Sequence, residues 1–307
     1  MLAVPTIVGV SIIVFAIIRL VPGDPAAVIL GINATPGEVA LIHRQLGLDE
    51  PIYTQYLHWV DGILHGNFGY DYQSGAPISS LLASALPVTA ELVVLSLGTA
   101  IILGILIGTC AAVWRGRAPD WVAQTLSILG ISVPDFWLGV ILILSLGLKF
   151  GLFPTSGYVP LSQGLGQNLS HMVLPTLALT AGLTAVLIRM TRAAMLDVLD
   201  EDFIRFVHSN GVKASRILFF HALRNASAPI ITVIGMQAGY LFGATVIIES
   251  IFSLPGLGQL ILNSTLNHDY PVIQASVLVL ALLFIATNIA VDVAYILIDP
   301  RLRMKAD

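Results

Sequence analysis

The sequence predicts an all-α membrane protein with six transmembrane helices. Three observations carry this. The 307 residues are 56% hydrophobic and only 10% charged, where a soluble domain usually carries about 25% charge. The apolar residues come in continuous runs rather than alternating ones, and in lipid only helices or closed barrels satisfy the backbone. Six runs reach the roughly 20 residues that a bilayer core about 30 Å thick demands. They fall at 2–21, 86–113, 121–148, 172–190, 230–251 and 272–298.

The first run has no basic flank and no small-residue cleavage site, so it reads as a retained span rather than a signal peptide. A short basic leader ahead of it is compatible with that reading. The segment 22–85 follows and is too small and glycine-rich for a strong independent domain. It opens with PGDPA, where Pro22 and Pro25 flank Gly23-Asp24 and force a turn. In TPGEVALIHRQLGLDEP, Thr35 is placed to cap a short helix with Glu38 three residues on, and Gly47 follows its end. Residues 52–64 form a second helical candidate, with Tyr53, Tyr56, Leu57 and Val60 near helical spacing. This segment is expected to cap the outer face, either as a simple lid or as a contact for a partner on that side.

A helical core is placed at 86–299, with a tail at 300–307. Gly104/Gly108 and Gly235/Gly239/Gly243 are spaced by four and allow close helix approach, either inside the bundle or at a seam between subunits. In ISVPDFW, Pro134 falls mid-run and is expected to kink the third span. Glu91, Arg189, Gln237, Glu249, Asn288 and Asp292 are costly inside spans. They either line a path or gate, or serve as helix-end and bundle-internal partners. Gln237, Tyr240 and Glu249, on the fifth span, are the path candidates.

Between spans four and five lies a polar interruption at 200–229, DEDFIRFVHSNGVKASRILFFHALRNASAP. Asp200 is expected to cap a helix, with Glu201 and Asp202 in its first turn at the positive end of the dipole. Phe203, Ile204 and Val207 make an apolar face. Asn210-Gly211 ends that helix, because both residues tolerate the left-handed conformation. A second helix through Ile217, Leu218 and Leu223 is expected to stop before Pro229. Such a knob suits a groove on a partner protein, or it lies passively on the membrane surface.

Lys and Arg set the topology. Arg115, Arg117, Arg189, Arg192, Arg205, Lys213, Arg216, Arg224, Arg301, Arg303 and Lys305 fall on one side, and Arg19, Arg44 and Lys149 on the other. This puts 200–229 and both termini in the cytoplasm. The net charge of −4 gives no footprint for nucleic acid. The single cysteine, Cys110, excludes an intrachain disulfide. His58 and His65 flank Asp61 at a spacing that matches no standard metal cluster, and no metal is expected. No Gly-Lys dipeptide occurs, so the phosphate-cradling loop of a P-loop ATPase is missing. No catalytic constellation can be assembled.

The segment 200–229 resembles the coupling motif of the inner-membrane permeases of binding-protein-dependent ABC importers. That motif has a glutamate-alanine-alanine run, a glycine four residues later and a closing proline. Gly211 and Pro229 match, and Arg205, Phe206 and Val207 occupy the run. A basic residue at the first position fits the dipeptide, oligopeptide, glutathione and nickel branch, whereas Phe206 and Val207 are larger than its usual residues. LVPGDPA (20–26), GNFG (66–69), PVTAEL (87–92), HALRNASAP (221–229), ESIFSLPGLG (249–258), DYPVIQ (269–274) and VDVAYILIDPRLR (291–303) resemble the same branch, nearly along the whole chain.

The resemblance implies the type I importer permease fold, with a cytoplasmic coupling helix, in the bacterial inner membrane. It implies a transport subunit rather than an enzyme, forming half of a path for a peptide-type solute. Its ATPase-coupling residues are Glu201, Asp202, Arg205, Phe206, Val207, Gly211, His221, Arg224, Asn225 and Pro229. The implied partners are a second homologous permease, two cytoplasmic ATPases that carry ATP and Mg, and an extracytoplasmic solute-binding protein; this chain itself carries no cofactor. A nickel-chelate importer is the alternative. An ATP-independent channel or carrier, or an intramembrane enzyme, stands further off.

Overall fold

The computed structural model describes residues 3–20, 35–45 and 49–298. The turn at Pro22–Pro25, the helix stop at Gly47 and the tail cations Arg301, Arg303 and Lys305 lie outside the described residues. The described chain is helical, apart from one isolated antiparallel bridge between Tyr70 and Pro77. It divides into two compact units: one within Met1–Ala90 and Ser253–Ile285, the other within Glu91–Phe252 and Ala286–Asp307.

The first unit begins with α1 (Ala3–Leu20), α2 (Pro36–Gln45) and α3 (Ile52–Leu64). α2 starts directly after Thr35, whose carbonyl accepts from Val39 N at 3.1 Å, and α3 has the expected bounds. Ser11 and Tyr56 share a hydroxyl hydrogen bond of 2.8 Å. Phe15 packs edge-on against Tyr56, with ring centroids 5.2 Å apart. The unit's core gathers the early turns of α4 (Ile78–Val113) with α10 (Leu257–Leu266) and the early turns of α11 (Tyr270–Ile298). Ile78, Leu82, Ala85, Leu257, Val272 and Ala275 are buried together there.

Two polar locks hold this unit, and both come from recognisable motifs. In PVTAEL, the buried Thr89 hydroxyl accepts from Leu257 N at 2.8 Å. In DYPVIQ, the buried Asp269 carboxylate accepts from Tyr72 N at 2.9 Å and from Val272 N at 3.3 Å.

The second unit is built around α7 (Leu165–Leu199), which packs against α5 (Ala118–Ser132), α6 (Asp135–Lys149) and α9 (Ala214–Ile251). Small residues set the close approaches. A Cβ on Gly104 of α4 would collide with Leu187 Cβ. One on Gly108 would lie 2.7 Å from Thr191 Cβ, and one on Gly130 of α5 would lie 2.7 Å from Ala185 Cβ. The Gly104/Gly108 pair therefore serves packing within the chain. The other series differs: Gly235 faces Val291 of α11, whereas Gly243 faces open space.

α5 and α7 are also joined by an ion pair whose carboxylate, Asp120, is buried while Arg192 is half-buried. Arg192 donates to Asp120 through Nε (2.5 Å) and Nη2 (2.8 Å). Gly116 N and Gln124 Nε2, both at 2.9 Å, complete the carboxylate's partners. The loop after α6 is tied down as well. Gly157 N donates to the Phe252 carbonyl at 2.9 Å, and the Tyr158 hydroxyl donates to Glu91 Oε2 at 2.7 Å. Burial, and the Glu91 carboxylate it faces, push the Tyr158 hydroxyl up to about 12.

Several spans differ from the sequence expectation. Among the described residues, α4, α7, α9 and α11 are each long and apolar enough to cross a membrane, and α5 with α6 makes a fifth if the pair is one span. That pair is not one kinked helix but two helices bent by 100°. Pro134 disfavours helical geometry at Val133, which is extended at φ −99°, ψ 120°. α4 and α7 extend beyond the apolar runs expected at 86–113 and 172–190, because polar turns at their ends stay helical.

Pro229 does not end a helix. α9 is continuous from Ala214 to Ile251, with π-helical winding over Ile217–Ala222. Proline removes one helical hydrogen bond, but a break in apolar surroundings strands several backbone groups, so the helix carries on. Pro87 and Pro175 lie inside helices in the same way.

Candidate coupling segment and solute path

α8 (Asp202–Ser209) hangs between α7 and α9. Its cap position is Glu201, extended at φ −72°, ψ 147°, rather than Asp200, which closes α7. The expected cap is thus displaced by one residue: α7 holds Asp200 in helical geometry, so the chain first turns extended at Glu201. Asp202 sits in the first turn, where the helix dipole favours it, and Arg205 Nη1 donates to its Oδ1 at 3.1 Å. Both side chains are solvated, so the pair contributes little to stability.

The amphipathic face divides within one turn. Ile204 is buried at 7% exposure, Val207 is half-buried, and Phe206 is 70% exposed. The helix stops where Asn210 Nδ2 donates to the Phe206 carbonyl at 3.0 Å and Gly211 takes φ +76°. A Cβ at Gly211 would meet nothing within 4 Å. Backbone conformation, not space, is what requires glycine there.

The π-wound turn of α9 buries Ile217 and Ala222 and leaves Phe219 and Phe220 exposed at 52% and 71%. The half-buried His221 offers its carbonyl to Asn225 Nδ2 at 2.7 Å. Arg224 and Asn225 are exposed, and Pro229 is half-buried within the helix. The ten expected coupling residues thus fall on two elements. Glu201 to Gly211 form the hanging helix and its turn, and His221 to Pro229 form the root of α9.

The path candidates separate. Tyr240 is exposed and its hydroxyl donates to Asp135 Oδ2 at 3.0 Å. Both line a cavity of about 330 Å³ with Pro134, Phe136, Gly243 and Ile247. Gln237 is half-buried. Glu249 is fully buried. Nine residues from Tyr240, at 100° per residue, it lies on the opposite face of α9. Asp135 was not picked out from sequence. Its signal was a carboxylate directly after a proline inside an apolar run. Arg189 and Asp292 are both exposed, and no ion pair joins them among the described residues.

The His58–Asp61–His65 cluster resolves into exposed local contacts. His65 Nδ1 lies 3.5 Å from Asp61 Oδ1, and His58 Nδ1 lies 3.3 Å from Glu50 Oε2.

The fold and the hanging helix define a class: the multi-pass inner-membrane permease of a binding-protein-dependent ABC importer. Residues 100–304 match the family described as binding-protein-dependent transport system inner membrane component, and residues 1–93 match its N-terminal membrane component. The chain belongs to that family and is a transport component of the inner membrane. Among its relatives are the glutathione transport system permease proteins GsiC of Escherichia coli (strain K12) and of Salmonella typhimurium (strain LT2). Each is 40% identical over 302 residues, covering 98% of this chain and 96% of the relative. Of solved structures, two inward-facing forms of the MetNI methionine ABC transporter share the fold. Their TM-scores are 0.58 and 0.57 at 18% and 17% identity, covering 71% of this chain and 96% of theirs.

Proposed function

We propose that this chain forms half of the translocation path of an ATP-driven importer for peptide-type solutes, glutathione foremost. The substrate class is supported by relatives named glutathione transport permeases, similar over nearly the whole length. A second homologous permease supplies the other half of the path. A solute-binding protein delivers the solute from outside, and two cytoplasmic ATPases carry ATP and Mg. The excess of Lys and Arg puts α8 and both termini in the cytoplasm.

The observation that carries the coupling role is α8 itself. One side chain, Ile204, anchors it, while Phe206 stands 70% exposed on a short helix outside the apolar runs. An apolar face of this kind fits a groove on a partner. Arg205, Phe206 and Val207 make the contact, with Glu201 and Asp202 setting the charge at the helix start. Gly211 is the turn through which a push on α8 reaches α9. Because α9 is unbroken from Ala214 to Ile251, displacement of its root around His221, Arg224, Asn225 and Pro229 tilts the whole helix. Tyr240 and Gln237 on the path then move with it, and the buried Glu249 anchors its outer end.

Proteoliposomes holding the full assembly test this with labelled glutathione, dipeptide and nickel. ATP-dependent uptake of glutathione is expected. Uptake of nickel alone overturns the substrate reading, and uptake by this chain without ATPases overturns the importer reading.

A further inference from the structure

α4, α9 and α11 enclose a cavity of about 670 Å³ in the second unit. Its walls are apolar, with Ile101 and Ile105 from α4, Leu223 and Ile231 from α9 and Val291 from α11. One charged side chain lines it: Arg224. That guanidinium makes no ion pair among the described residues. The neighbouring Ser227 hydroxyl is already committed to the Arg224 carbonyl at 2.7 Å. The aromatic rings of Phe219 and Phe220, within about a turn of Arg224 along α9, also line the cavity. Arg216 lies one turn before Phe220, and Lys213 lies just ahead of it, both exposed.

The dimensions suit a lipid. From Phe220 to Ile234 the lining of α9 extends about 21 Å at helical rise, somewhat more than the ~15 Å of one leaflet's hydrocarbon. Basic pockets between spans on the cytoplasmic side are suited to anionic headgroups. A partner's helix in this groove would bury Arg224 against apolar walls unless it brought its own carboxylate. A phospholipid carries its phosphate next to its apolar chains, so it answers both features at once.

We propose that this groove holds one anionic phospholipid of the cytoplasmic leaflet, with its phosphate on Arg224 and an acyl chain along α9 between α4 and α11. The choice of leaflet rests on the topology proposed above; the binding itself does not. Because the headgroup sits at the root of α9, the site ties lipid charge to the helix that carries coupling.

The test uses the full transporter assembly in nanodiscs of mixed phosphatidylcholine and phosphatidylglycerol, with retained lipid counted by native mass spectrometry. One phosphatidylglycerol per copy of this chain is expected, preferred over phosphatidylcholine by roughly fivefold, the factor one basic residue contributes near a charged surface. Arg224→Gln should abolish the preference and Arg224→Lys should restore most of it. Arg117→Gln, which removes a cation that does not line the groove, should leave it intact. Ala290→Phe, which fills the apolar part, should lower the retained lipid of both kinds. Equal retention of the two lipids, or a preference unchanged in Arg224→Gln, overturns the proposal. So does cross-linking of a cysteine at Ile101 to a helix of the partner permease. None of these outcomes bears on solute uptake, so the site can fail while the importer reading stands.

Discussion

The seam between α5 and α7 and the hanging helix α8 are neighbours in the sequence but opposites in structure. At the seam, Gly130 leaves room for Ala185, and Asp120 is 2% exposed with its carboxylate fully occupied by Arg192, Gly116 and Gln124. On α8, Phe206 and its flanking charges face outward, and only Ile204 is buried. Where small residues recur at helical spacing, this chain packs on itself. Where a large apolar residue stands on a short charged helix, its own fold offers nothing to cover it. Stability resides in the first region and, in the proposed mechanism, work is received in the second.

Substitutions should separate the two. Asp120→Ala leaves Arg192 without its partner in a poorly solvated place and should cost about 3–5 kcal/mol. Little monodisperse chain should then survive detergent extraction, as read by fluorescence size-exclusion. Gly108→Leu drives a side chain into Thr191 and the Ile188 carbonyl, 2.7 and 2.8 Å from the new Cβ. The expected loss is about 1–3 kcal/mol, seen as a lower melting temperature. Gly211→Val must hold φ +76°, a strain of about 1–2 kcal/mol, and should uncouple ATP hydrolysis from uptake more than it lowers stability. Normal coupled uptake in that variant would count against the role given to the turn.

The outer unit offers a contrast in pH. Burial, and the Asp71 carboxylate bonded to it, push Asp269 up to about 7, while its hydrogen bonds with Asp269 and Ser74 hold Asp71 down to about 2. Unfolded, both titrate near 3.8. The folded pair therefore keeps an extra proton between pH 3.8 and 7. The stability of this lock falls as pH rises through that window, by roughly 1 kcal/mol per pH unit. The Asp71 contribution is lost on the acid side, as pH falls from 3.8 towards 2. Amide exchange at Tyr72 and Val272 should quicken between pH 5.5 and 7.5 at matched intrinsic rates, and Asp269→Asn should flatten the change. The smallest effect on stability is Phe206→Ala: the side chain is exposed, so the melting temperature should move by less than about 0.5 kcal/mol allows, whereas uptake should fall.

Much of this was legible in the sequence. Long apolar runs showed where the spanning helices α4, α7, α9 and α11 lie, Asn210-Gly211 marked the end of α8, and 52–64 was bounded correctly. Prolines were the weak point. Pro134 and Pro229 look alike in a sequence, yet one separates two helices at 100° and the other lies inside an unbroken helix. The difference lies in neighbours that a linear pattern does not contain. Tertiary pairs were hidden for the same reason: Asp135 with Tyr240, Arg192 with Asp120 and Thr89 with Leu257 are each joined across many residues. Two motifs that carried the family resemblance, PVTAEL and DYPVIQ, supply the polar locks of the first unit through Thr89 and Asp269.

The account depends most on α8 receiving a partner. A photo-reactive amino acid at Phe206, in the assembled transporter and in its membrane, tests this directly. The account predicts an adduct with an ATPase subunit that weakens when α9 is uncoupled from α8 at Gly211. Adducts with lipid alone would make α8 a passive surface helix and contradict it.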